Sequence, residues 1–218
     1  MPEIIVFLGP SLDRESARKY CEAEYRPPAA RGDILRAAAD GARIIGLIDG
    51  VFFQECAVAH REILSVLRAG VKVIGASSMG ALRAAELDTL GMEGVGNVYR
   101  LYKEGVLESD DEVALIFDPV YFVPASEPLV NIRCTIRRAW EAGVIGRGCA
   151  EQLLSQAQAL YFPDRTYDAI VSRTGSTASE AEITRFRQFV VTSACDLKRE
   201  DAIQALRRIR EIATQLAG

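Results

Sequence analysis

Three short β-branched runs, EIIVFLG at 3–9, ARIIGLIDG at 42–50 and VKVIGAS at 71–77, each close on a glycine-bearing turn, and each is followed by a helical pattern. Strict alternation of strand and helix leaves few topologies open, because parallel strands joined by helices take right-handed crossovers. The expected fold class is α/β: an N-terminal parallel-sheet βαβαβ core, with a Rossmann-like strand order left undetermined, and a mostly helical C-terminal half. The clearest helix follows the second run. Val58, Ile63, Val66 and Leu67 form its apolar stripe, Arg68 sits in its last turn, and Gly70 stands where a helix terminator belongs. In open parallel sheets ligands bind beyond the carboxyl ends of the strands. Gly9-Pro10-Ser11, Asp49-Gly50 and Ser77-Ser78 are therefore expected along one edge.

Beyond residue 91 the pattern changes. GMEGVGN reads as a glycine-rich connector, VYRLYKEG as a short helix closed by Gly105, and DDEVALIFD at 110–118 as a fourth strand. Helices are expected at 127–142, 147–160, 164–173, 179–192 and 199–216, with VSRTGSTAS at 171–179 as the best linker candidate. The expected division is a core domain over 1–125 and a helical region over 126–218, packed on or extending that core.

Composition narrows the function classes. With 49% hydrophobic and 26% charged residues the chain reads as a compact soluble protein, and its net charge of −4 gives no support to a phosphate-binding surface. No apolar run approaches the roughly 20 residues that span a bilayer, and MPEIIVFLGPSL lacks a basic lead and a small-residue cleavage site. A cytoplasmic protein with neither nucleic-acid nor membrane partners is expected. Five cysteines, odd in number and without a C-x-x-C pair, fit reduced thiols, and a single histidine argues against a histidine-rich metal site. No metal or other cofactor is expected.

The chemistry concentrates at ASSMG, residues 76–80. It resembles the nucleophile elbow G-x-S-x-G, with alanine in the first glycine place and Ser78 as the exposed hydroxyl. The same residues suit a helix N-cap, and both readings stand at this point. A nucleophilic serine needs a base. His60 lies inside a helix without triad spacing, and the lysines are Lys19, Lys72, Lys103 and Lys198. Lys103, closing the short helix after the connector, is the first choice among them. Asp49, at the end of a buried strand, is either a ligand-binding carboxylate or an Asp-Gly turn residue. Asp33 reads as a helix cap, and SDDEVA at 109–114 as a solvated stretch with a weaker claim to a cation.

Taken together, VFLGPSL, RPPAARGDI, IGLIDGVF, HREIL, GASSMGALRAAELDTLGMEGVG, DDEVAL and EPLVNIR resemble the TfuA-like family, named for a trifolitoxin biosynthesis protein. The resemblance runs through the first 133 residues. It implies a helper in peptide backbone thioamidation that partners a YcaO-type enzyme and hydrolyses a thiocarboxylated ThiS-like carrier to release sulfide, the peptide substrate being reached through YcaO. It also implies a serine–lysine pair with Ser78 as the serine. Many members read H-K-E-I-L where this chain has His60-Arg61-Glu62, so Arg61 occupies the lysine place: either the base lies elsewhere, with Lys103 the first choice, or hydrolysis is impaired in this member and its partner role dominates. Asp49, His60, Glu62, Ser77 and Arg83 are then expected to bind substrate or carrier. A non-catalytic scaffold holding YcaO and carrier is the alternative.

Overall fold

The computed structural model describes residues 3–52, 56–174 and 178–217. They form two compact units, one of Met1–Asp110 with Lys198–Gly218 and one of Asp111–Leu197. The chain thus leaves the first unit ahead of the expected 125/126 division, and the last helix belongs almost wholly to that first unit.

The first unit is built on a five-stranded, all-parallel sheet of β1 (Ile4–Phe7), β2 (Glu24–Arg26), β3 (Ile44–Leu47), β4 (Lys72–Ala76) and β5 (Glu93–Val95), in the order 2-1-3-4-5. Side chains alternate across the strands, so a sheet covered on both faces needs apolar residues at nearly every position. On one face Ile5, Ile45 and Val73 meet Ile34 of α2 (Asp33–Ala39), Ile63 and Val66 of α3 (His60–Arg68) and Ala84 and Leu87 of α4 (Met79–Leu87). The other face carries Val6, Ile44 and Ile74. There α1 (Arg14–Arg18) is only five residues long, and the 21-residue α10 (Leu197–Ala217) supplies Leu206, Ile209 and Ile212. Short α5 (Asn97–Lys103) follows β5 and ends, as read, before Gly105, whose φ is +70°.

Two strands went unread in the sequence. β2 and β5 are three-residue edge strands, too short to display a period of two. The expected fourth strand at 110–118 is absent: Asp110–Glu112 make a 3₁₀ turn, and only Phe117 pairs, in an isolated bridge to Pro124. The carboxylates there are committed elsewhere, since Arg133 holds Glu112 in a forked pair, both Nε–Oε2 (2.9 Å) and Nη2–Oε1 (2.7 Å) being close.

The second unit packs α6 (Leu129–Glu141), α7 (Arg147–Ala159), α8 (Tyr167–Arg173) and α9 (Glu180–Ser193) around Ile132, Ile136, Leu153, Ile170 and Phe186. Thr166 caps α8, and Ser179 with Glu182 forms a capping box on α9. Most of the linker candidate at 171–179 lies in or beside these helices, and its residues 175–177 fall outside the described residues. The reduced-thiol expectation is corrected for one pair. Cys134 and Cys195 form a disulfide with Cα atoms 5.8 Å apart, and Cys21, Cys56 and Cys149 are free. Sixty-one residues separate the pair in sequence, so only the folded chain reveals the proximity.

Candidate functional site

The corner between β4 and α4 is a strained one. Ser77 takes φ +67°, and the Ser78 amide donates to the Ala76 carbonyl at 2.7 Å, closing a three-residue turn of the uncommon left-handed kind. Such a backbone in a non-glycine residue costs on the order of 1–3 kcal/mol and persists where the surroundings hold it. Here a buried chain of oxygens does so. Ser77 Oγ lies 2.8 Å from the Lys198 carbonyl and 2.9 Å from Ser11 Oγ, and Ser11 Oγ donates to Asp49 Oδ1 at 2.6 Å. Asp49 Oδ2 accepts the amides of Gly9 (2.9 Å) and Ser11 (3.1 Å). The three strand-end turns do converge, at the ends of β1, β3 and β4. In a 2-1-3-4-5 sheet the order reverses between β1 and β3, the place where such folds open a crevice.

Ser78 is different from its neighbour. Its side chain is buried, at 2% exposure, caps no backbone amide of α4, and makes no hydrogen bond among the described residues. The N-cap reading of this hydroxyl is therefore corrected. Its carbonyl starts the helix instead, accepting from Ala81 at 2.9 Å. Gly80 explains how close the helix comes: a Cβ there would collide with the Leu47 carbonyl of β3. The positive dipole end of α4 and the Met79 amide thus lie beside a hydroxyl with no hydrogen bond among the described residues, while the Gly80 amide turns to the Ile48 carbonyl.

A groove of about 590 Å³ opens next to this corner, lined among others by Arg31, Val58, His60, Met79, Arg83 and Glu86. His60 Nε2 meets Glu86 Oε2 at 2.7 Å, Arg83 Nη1 meets the same oxygen at 2.7 Å, and Arg83 Nε donates to the Val58 carbonyl at 2.9 Å. His60 and Arg83 therefore share one rim. Glu62 does not join them. Its carboxylate is buried and accepts the amides of Ala59 (2.7 Å) and Gly32 (2.9 Å), fixing the starts of α3 and α2. Arg61 is exposed on α3. Asp33 accepts the Ala30 amide while Gly32 takes the N-cap place of α2.

Lys103 is not brought to Ser78. Its Nζ pairs with Asp88 Oδ1 at 2.7 Å, beyond the last residue of α4, so the nine-residue helix, about 13 Å along its axis, separates the pair from the corner. The sequence reading placed Ser11 in a converging strand-end turn but assigned it no role of its own. It also passed over Lys198, buried where Lys19, Lys72 and Lys103 are exposed, because nothing local announces that residue 198 returns to residue 77. Among the described residues no group of three or more His, Cys, Asp and Glu side chains is placed to hold a metal ion, and no helix is long and apolar enough to cross a membrane.

A family model described as TfuA-like protein matches residues 49–166, more than half of the 218. The match takes in Asp49, the α3 start and the whole Ser77-Ser78 corner, and leaves Ser11 and Lys198 outside. None of the curated proteins matches the chain.

Proposed function

Because the chain belongs to the TfuA-like family, which is associated with YcaO-type peptide thioamidation, we propose that it supplies sulfide for that reaction by hydrolysing a thiocarboxylated ThiS-like carrier, with Ser78 as nucleophile. One observation carries the reading: a serine only 2% exposed, whose hydroxyl makes no hydrogen bond among the described residues, stands at the head of a helix next to a strained residue. The Ser78 oxygen adds to the thiocarboxylate carbon, and the developing oxyanion is met by the Met79 amide and the positive end of the α4 dipole, the next amides being held by the carbonyls of Ile48 and Ser78. The C–S bond then breaks, the serine proton leaves on sulfur, and hydrosulfide departs from a carrier–serine ester. Water cleaves the ester, returning the carrier carboxylate and the serine. Delivery of the serine proton to the leaving sulfur fits a Ser78 hydroxyl that has no hydrogen bond to a basic side chain among the described residues.

The rim of His60, Arg83 and Glu86 is suited to holding the carrier's extended end beside the corner, whereas Asp49, Glu62 and Ser77 are engaged inside the protein. If a lysine assists, Lys198 is the one to examine, and Lys198→Met tests its side chain while keeping the carbonyl that Ser77 uses. Purified protein incubated with thiocarboxylated carrier, with sulfide measured over time, is the basic experiment. Ser78→Ala is expected to abolish release while the variant remains folded; undiminished release removes the reading.

A second reading, a non-catalytic scaffold for YcaO and carrier, is favoured by a different observation. In the helical unit Val120, Tyr121 and Val123 are 71%, 79% and 59% exposed on a turn fastened by Asp118, which accepts the amides of Val120 and Tyr121 at 2.8 Å each. Apolar exposure on an ordered turn is the kind of surface a partner protein covers. Tyr121→Asp would weaken YcaO binding and leave sulfide release by the protein alone unchanged.

A further inference from the structure

We infer that Ser77, Ser11 and Asp49 are positioning residues, a latch that holds the strained turn and thereby aims Ser78, and that they bind no substrate. The inference rests on Ser78 being the reactive serine. Ser77 is wholly buried and Ser11 is 4% exposed, so neither offers a surface to a carrier. Both are fully engaged. The Ser11 proton goes to Asp49 at 2.6 Å, and the single Ser77 proton serves two acceptors, Ser11 Oγ and the Lys198 carbonyl.

A serine is an unusual choice for φ +67°, where glycine sits without strain. Glycine would relax the turn but would lose both oxygen contacts. Serine keeps the turn under tension and ties it to two distant places, the β1 end through Ser11 and the start of α10 through Lys198. Asp49 in turn grips the Gly9–Ser11 loop by both amides, so the acceptor that Ser77 faces is itself fixed. The Ser78 amide is drawn onto the Ala76 carbonyl, and Ser78 emerges with φ −123° and ψ −132°, its hydroxyl clear of the helix amides it would otherwise cap. Release of Ser77 frees that amide and lets Ser78 turn back into an ordinary N-cap. An error of about 1 Å in a reacting group can cost on the order of a hundredfold in rate.

The experiment measures the rate at which a fluorophosphonate labels Ser78, located by peptide mass spectrometry, together with unfolding free energies of the same variants. Ser77→Gly, which tolerates the turn, and Ser11→Ala are each expected to slow labelling about tenfold or more. The double variant should be no slower than either alone, because both break one chain of contacts. Ser11→Thr, which keeps the hydroxyl, should restore the rate, an outcome that a purely structural role for residue 11 would not require. Ser77→Gly and Ser11→Ala proteins that label as fast as the parent, or whose effects on rate and stability simply add, overturn the latch while leaving Ser78 as nucleophile. A folded parent that never labels at Ser78 overturns the nucleophile reading, and the positioning role falls with it.

Discussion

Arg165 in the helical unit and Ser78 in the α/β unit are both almost wholly buried, and the two units treat them in opposite ways. The Arg165 guanidinium donates to the carbonyls of Ala157 (3.1 Å), Leu160 (3.0 Å) and Asp111 (3.2 Å) and pairs with Asp111 Oδ2 at 2.7 Å. All three guanidinium nitrogens are engaged. Ser78, by contrast, has no partner among the described residues, and the residue before it is strained. Lack of a partner does not by itself mark function, since the buried Gln152 Oε1 of the helical unit also has none; at Ser78 the unbonded hydroxyl stands beside a strained residue and a helix N-terminus, and that combination argues for function. Asp49, Glu62 and Ser77 belong with Arg165 in being engaged, although they sit within the α/β unit and Ser77 directly precedes Ser78.

The comparison predicts which changes cost stability. Arg165→Met should cost most, about 3–5 kcal/mol by chemical denaturation, because it strands buried acceptors and an aspartate. A loss under 1 kcal/mol would show that the guanidinium is no anchor. Opening the Cys134–Cys195 link by Cys134→Ser should cost about 2–4 kcal/mol, seen as a fall in the unfolding midpoint that reductant reproduces in the parent.

Asp201 extends the test to the α/β unit, where its wholly buried carboxylate accepts the amides of Asn97 (2.8 Å) and Val98 (2.7 Å) at the start of α5. Burial pushes its pKa up to about 6, against the opposing pull of those two amides and of Arg100, with Glu200 adding to the rise. A carboxyl that holds its proton more tightly when folded favours the folded state at low pH. That contribution, up to about 3 kcal/mol, is full below about pH 4 and is lost as pH rises through about 6. Asp201→Asn should flatten this part of the stability profile. A variant whose profile keeps the parent's slope between pH 4 and 6 would assign the slope to other groups. The smallest effect belongs to Lys103→Ala, whose exposed pair with Asp88 should be worth less than about 1 kcal/mol. Sulfide release should not change, and a large loss would bring Lys103 back to the site.

Much of the fold was legible because the three central strands are buried on both faces. Residues 4–8, 44–48 and 73–76 are accordingly free of polar side chains, and the helices between the strands carry periodic stripes. The edges were not legible: β2 and β5 pair on one side only and over three residues, so little pattern is imposed on them. DDEVALIFD has the composition of a strand, yet its acidic start is drawn into ion pairs with Arg133 and Arg165 instead of a ladder. At the site, the serine corner and the convergence of strand ends follow from local sequence and topology. Which serine is engaged does not, because Ser77 is held by Ser11 and by the carbonyl of Lys198, contacts 66 and 121 residues away in sequence. Lys103 was plausible only as long as its distance from Ser78 along α4 was unknown.

The central claim, that the unbonded Ser78 forms a covalent ester with the carrier, is tested most directly by acid-quenching a reaction of the protein with thiocarboxylated carrier at short times and mapping adducts by mass spectrometry. The account predicts a carrier-modified peptide containing Ser78, formed as sulfide appears and absent from Ser78→Ala. An adduct on Ser77 or any other residue, or sulfide release by Ser78→Ala at the parent rate, would contradict it.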